Sequence, residues 1–191
     1  MSDFRPLSAN FSVAPQIGIE DVAEAKAHGF AASGVDSLAA AAGLTSGALY
    51  KHFGGKAQLL AELVRSELQR MQQRYDTLDA DDSAAVARMQ AGYLSLQHAR
   101  QPGQGCLLPP LAAEVARADD DTRQAFQQGL SAVHDSFQRL AGSSDAAWAL
   151  MAMNEGAVLM AAALPDDRLA RELLRAARRH GDSLLHPKDT P

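Results

Sequence analysis

The sequence predicts an all-α fold. Apolar residues recur at i, i+3, i+4 and i+7 through most of the 191-residue chain, the spacing of amphipathic helices. Apolar residues make up 47% of the total but aromatic residues only 5%. Ala and Leu dominate that apolar fraction, which favours helices over sheets. Short breaks separate the periodic stretches, and about nine helices result.

Taken in order, "VDSLAAAA" places Val35, Leu38, Ala39 and Ala42 on one face of a short helix. That helix ends at Gly43, where a residue of positive φ is favoured. Thr45 or Ser46 can cap a second helix beginning about two residues later, with Leu49 and Phe53 (i, i+4) holding it to its own core. Lys56 to Tyr75 reads as a long helix with Leu59, Leu60, Leu63, Val64 and Leu68 on one face. "DTLDADDS" is a break, and Ala84 to Arg100 forms the next helix, with Val86, Met89, Tyr93, Leu94 and Leu96 as apolar members. "QPGQG" is the clearest loop, because Pro and Gly together end helices. A short helix then begins near Cys106, and a longer one covers Thr122 to Leu140. After "GSSD" an apolar helix runs to Leu164, Pro165 breaks it, and Asp166 to His180 makes the last. The apolar stretch Ala146 to Leu164 approaches membrane-spanning length. Asn154 and Glu155 fall at its centre, where burial in lipid is costly. It is expected to be a buried helix of a protein without a membrane partner.

The first two of these helices, joined by a tight glycine-containing turn, have the layout of a helix-turn-helix, whose second helix enters the major groove of double-stranded DNA. The start of that helix, "GLTSGALYKHFGGK", suits the surface of a duplex. Free backbone N–H groups and the positive end of the helix dipole favour a phosphate oxygen, and Thr45 and Ser46 add hydroxyl donors. Gly47 has no side chain, so the backbone can approach closely, and Tyr50, Lys51 and His52 follow on the next turn.

These residues resemble the DNA-binding end of the tetracycline-repressor (TetR) family of bacterial transcriptional regulators. The matching segments are "HGF" at 28–30, "SGVDSLAAAAGLTSGALYKHFGGK" at 33–56, and Leu59 and Leu60. The resemblance implies a DNA-binding domain over 1–60 and a helical effector-binding and dimerisation domain over 61–191. It implies phosphate contacts from Ser33, Thr45, Ser46, Tyr50, His52 and Lys56, with Gly47 and Lys51 nearest the base edges. The last two helices would pair with their copies into a four-helix dimer interface, where Ala157, Ala161 and Ala162 would permit close approach. A homodimer places two recognition helices on a near-palindromic operator. The implied function is that of a one-component regulator, a repressor released by a small-molecule effector.

The chain departs from the family in its first helix. That helix usually carries basic residues near its start and a large apolar residue four positions before the glycine of the turn. Here Ala25 stands there, preceded by Glu24, and Pro15 and Gly18 interrupt what comes earlier. Before Gly43 there are two cations against five acids, whereas Gly43 to Tyr75 holds five cations against two acids. A helical dimer that has lost DNA binding is therefore the alternative reading. The net charge of −5 does not decide between them, because the local charge of the docking face governs attraction to phosphates.

Other chemistries find little in the sequence. Six histidines show no metal-ligand spacing, no phosphate-cradling glycine loop or nucleophile elbow occurs, and no cofactor or enzyme activity is expected. One cysteine and no basic-then-apolar leader fit a cytoplasmic protein. Large or polar residues of the central helices are candidates for an effector cavity: Met89, Tyr93, His98, Leu107, Phe126, His134, Trp148, Met151 and Asn154. Methionine and aromatic residues at helical spacing also serve as plain core. Cys106 is a possible thiol sensor, since a cysteine in a helix's first turn feels the positive end of the dipole, although its neighbours Leu107, Leu108, Pro109 and Pro110 are apolar.

Overall fold

The computed structural model describes residues 30, 33–41, 45–101 and 108–185. The expected first helix, the turn glycine Gly43, and Cys106 with Leu107 lie outside them. Among the described residues there is helix and no strand. The helices are α1 (Val35–Ala41), α2 (Ser46–Phe53), α3 (Lys56–Asp76), α4 (Ser83–Tyr93), α5 (Leu96–Arg100), α6 (Leu108–Val115), α7 (Asp120–Ala141), α8 (Ser144–Ala163) and α9 (Asp167–Leu185).

Side-chain caps set most of the starts. Thr45, Asp82, Ser95, Asp119 and Ser143 each accept a hydrogen bond from a backbone N–H three residues on, satisfying a donor the helix cannot use internally. At Asp119 the bond from the Thr122 N–H holds the carboxyl below its ordinary range. The ends of α2 and α7 turn out through Gly54 and Gly142, both left-handed, with φ of 78° and 74°.

The stretch expected as one helix, Ala84 to Arg100, is two. Ser95 adopts extended backbone and bonds the His98 N–H through its side chain, while the His98 ring nitrogen Nδ1 lies 2.6 Å from the Tyr93 carbonyl. Local side-chain bonds thus take over backbone groups that a continuous helix would use. The last helix runs on past His180 to Leu185 because Gly181 is buried and packs against Gln90 instead of ending the helix.

Long helices α3 and α7 pack side by side, and α8 and α9 complete the body. At the α3–α7 crossing a Cβ on Gly129 would stand 2.7 Å from Leu68 Cβ, so the absent side chain is what lets the two backbones meet. Farther along, α7 closes over the end of α3. Arg139 donates to the Leu78 and Tyr75 carbonyls at 2.7 and 2.9 Å, Ser136 Oγ donates to Asp76 Oδ1 at 2.6 Å, and Tyr75 packs on Phe137 with ring centroids 4.4 Å apart. The guanidinium therefore ties down carbonyls at and just beyond the helix end. Arg100 does the same for α8, bonding Ala162 and Leu164 carbonyls and the Asp167 carboxylate.

Helix α8 is long and apolar enough to cross a membrane by length and composition, yet its inner face belongs to this bundle. Ala147, Leu150, Met151, Asn154, Ala157, Val158 and Ala161 are buried. Ala157 and Ala161 do not face a partner helix as expected. They lie in a cluster with Leu94, Ala99, Ala170, Leu174 and Ala177, inside the chain's own packing of α5, α8 and α9. An α-helix that is apolar almost all round gives no sequence signal for which side turns inward. The side that faces outward carries Trp148, Ala149, Ala152, Leu159, Met160 and Ala163, with Trp148, Leu159 and Met160 between 44% and 53% exposed.

Candidate nucleic-acid interface

Helix α2 is held from below and open above. Leu49 is fully buried and Phe53 packs against the same core, which also contains Phe30, Leu38, Ala39, Leu59 and Leu60. At about 100° per residue, Tyr50, Gly47 and Lys51 then share an arc of about 100° turned away from Leu49, with Ser46 at its edge beside Phe53. Tyr50 is 52% exposed, Lys51 and Gly47 are exposed, and a Cβ built on Gly47 meets nothing within 4 Å. Thr45 sits at the head of this face, its hydroxyl accepting from the Ala48 N–H at 3.2 Å. His52 is exposed but lies about 100° beyond Lys51, on the flank of the helix.

Two expected phosphate ligands are engaged with each other. Ser33 is buried, and Lys56 Nζ donates to its carbonyl at 2.7 Å while lying 5.2 Å from the centroid of the Phe30 ring. Lys56 therefore joins the start of α3 to the chain ahead of α1. Asp36 was not singled out in the sequence, yet its carboxylate accepts a hydrogen bond from Ser46 Oγ across the turn. A ten-residue separation conceals that pairing from any local pattern.

The effector candidates fall into separate places. Between α4 and α8, Gln90 and Asn154 form a reciprocal amide pair at 2.8 and 3.0 Å, both buried. One turn on, Tyr93 Oη donates to Glu155 Oε1 at 2.5 Å and its ring packs on His98, centroids 4.6 Å apart. Tyr93, His98 and Asn154 thus belong to one polar patch, to which the structure adds Gln90 and Glu155. Elsewhere, near the α7–α8 turn, His134 stacks on Trp148 at 4.2 Å, with Nε2 within 3.1 Å of Ser144 Oγ. Met89, Phe126 and Met151 are members of the main apolar core or pack against it.

Residues 22–63 match the family model described as bacterial regulatory proteins, tetR family. Over this segment the chain is similar to the TetR family. Its matched segment contains α1, α2 and the first turns of α3, so the open face of α2 lies on the recognition helix of the family's helix-turn-helix. Solved structures share the fold over nearly the whole chain. The reduced form of Escherichia coli NemR aligns with a TM-score of 0.65 at 24% identity, covering 85% of this chain and 94% of that one. The TetR-family regulator PfmR of Thermus thermophilus gives 0.52 at 20%, covering 87% and 96%. A Mesorhizobium loti protein assigned to the TetR family gives 0.54 at 17%, covering 88% and 91%. No curated protein sequence matches this chain significantly.

Proposed function

We propose that this chain is a dimeric, cytoplasmic, ligand-responsive TetR-family regulator that represses by binding a near-palindromic operator. The observation that carries the reading is the face of α2, where Tyr50, Gly47 and Lys51 stand open on a helix whose other side, at Leu49, is fully buried. Thr45, Ser46, Tyr50, His52, Ser33 and Lys56 serve phosphates, and Gly47 and Lys51 the base edges. Residues 1–60 form the DNA-binding domain and 61–191 the body, with α3 running through the boundary. The outward apolar face of α8, continued by Leu169 of α9 at 45% exposure, is the surface a second copy covers. An effector reaches the patch around Tyr93, His98 and Asn154, and releases DNA to the extent that it binds one head separation better than the other.

Selection of binding sites from random duplex DNA with the purified protein tests the reading. Enrichment of a near-palindrome supports it, and no enrichment at low salt favours the helical dimer without DNA binding. On a selected site, Tyr50→Phe is expected to weaken binding to all sequences alike by about 1 kcal/mol, the scale of one such hydrogen bond. Lys51→Ala is expected instead to change the preferred sequence. Anisotropy titrations on the selected and a scrambled duplex separate the two, and a changed preference in Tyr50→Phe would reverse the assigned roles.

A thiol response is a second reading of how release occurs, favoured by the likeness to a regulator whose structure is named for its reduced form. In it Cys106, the only cysteine, forms an adduct or sulfenic acid that alters the body. N-ethylmaleimide is then expected to release wild type from a selected duplex and to leave Cys106→Ser bound. Equal behaviour of the two proteins would make Cys106 a packing residue.

A further inference from the structure

We propose that Asp36 restrains the phosphate-driven, sequence-independent part of DNA binding by holding the hydroxyl of Ser46. The inference rests on the DNA-binding reading above and goes beyond it. Ser46 is the first residue of α2, and its Oγ donates to the Asp36 carboxylate in the first turn of α1. A serine hydroxyl has one proton to donate. While that proton is on Asp36, Ser46 offers an incoming phosphate only lone pairs, so a phosphate contact there requires the Asp36 bond to break.

The position of the carboxylate adds a second effect. Asp36 is exposed, and through Ser46 it is tied to the beginning of α2, where the N–H groups and the dipole attract an anion. In the free protein the carboxylate occupies that favourable field. On a duplex the same charge opposes the backbone, and it does so for every sequence, because phosphates are the same everywhere. Base-edge contacts from Gly47 and Lys51 are not opposed in this way. The result is a lower affinity for every duplex, with the ratio between operator and random DNA unchanged. The bond also fixes α1 against α2 across the turn, which Thr45, capping α2 from within, cannot do.

A double-mutant cycle on the full chain, read by anisotropy on a selected duplex and on a random one, tests the proposal. In the wild-type background Ser46→Ala is expected to weaken binding by only about twofold, because the hydroxyl must first leave Asp36 to reach a phosphate. In the Asp36→Ala background the same change is expected to cost about fivefold, the size of one freed hydrogen bond to phosphate. Asp36→Asn keeps an acceptor for Ser46 and removes the charge. It is expected to tighten the random duplex several-fold and to steepen the salt dependence by about one unit in the log–log plot. Circular dichroism and melting of each variant identify any that fails to fold, and Asp36→Asn carries the test if Asp36→Ala does. An identical Ser46→Ala cost in both backgrounds, or no gain on random DNA in either Asp36 variant, overturns the proposal. Failure of the regulator reading looks different: no protein of the set, wild type included, binds any duplex at low salt, and the proposal then falls with it.

Discussion

Ala161→Asp is expected to unfold the body, whereas Ala152→Asp is expected to leave each chain folded and to separate two copies. The two positions lie on the same helix, α8. Ala161 has no exposure and is enclosed by apolar residues of α5 and α9. A carboxylate there has no cation to pair with in that cluster, and an uncompensated buried charge costs several kcal/mol. Against a total stability of about 5–15 kcal/mol for a protein of ordinary marginal stability, most of the cooperative transition should be lost. Ala152 is exposed on the outward face with Trp148, Leu159 and Met160. A charge there is solvated in the single chain and buried only when another copy covers it. Circular dichroism melting and light scattering distinguish the outcomes. A folded Ala161→Asp protein would contradict the packing of α8, and a dimeric Ala152→Asp protein would place the contact between copies on another face.

The second large effect is expected at the amide pair. Gln90 and Asn154 each donate to and accept from the other, and neither has more than 2% exposure. Asn154→Leu leaves the Gln90 amide with a buried donor and acceptor both unmet, at about 1–3 kcal/mol for each, so a loss of about 3 kcal/mol is expected. Gly181 closes off relief by movement, since even a Cβ at that position would come within 2.5 Å of Gln90 Nε2. Replacing both partners by Leu removes the polar groups together and should recover part of the loss. Urea denaturation of the wild type, the two single variants and the double variant provides the comparison. A double variant no more stable than the weaker single one would mean that the pair is not the closed unit described.

The contrast between these sites and the recognition helix explains what was legible in the sequence. Leu49 and Phe53 could be assigned inward because α2 has one apolar side, and Thr45 could be read as a cap because the capping bond spans three residues. Both are local rules. Helix α8 has apolar residues on both sides, so the sequence could not tell Ala161, buried, from Ala152, exposed. The partners of Asn154 and Ser46 lie 64 and ten residues away, and only the crossing of helices brings them together. The division of Ala84–Arg100 was hidden for a different reason. Its apolar periodicity continues through Leu94 and Leu96, while the break comes from a serine hydroxyl and a histidine ring competing for backbone groups. The scattered effector candidates show the same limit, since size and polarity identify interior residues without saying which of them share a space.

The closure of α7 over the end of α3 has a mechanical consequence. With Tyr75, Asp76 and Leu78 tied to Ser136 and Arg139 and Leu68 seated on Gly129, the 21-residue α3 moves with α7 as one rod, and its first turns are joined to the recognition unit. Its length is about 30 Å at 1.5 Å per residue, so a rotation of about 5° about its last turn carries its first turn through about 2.6 Å. In a symmetric pair the two displacements add to about 5 Å, more than the 3.4 Å between neighbouring nucleotides along a strand. A small rotation of α3 carried together with α7 would therefore put the two recognition helices of the proposed dimer out of register with their half-sites.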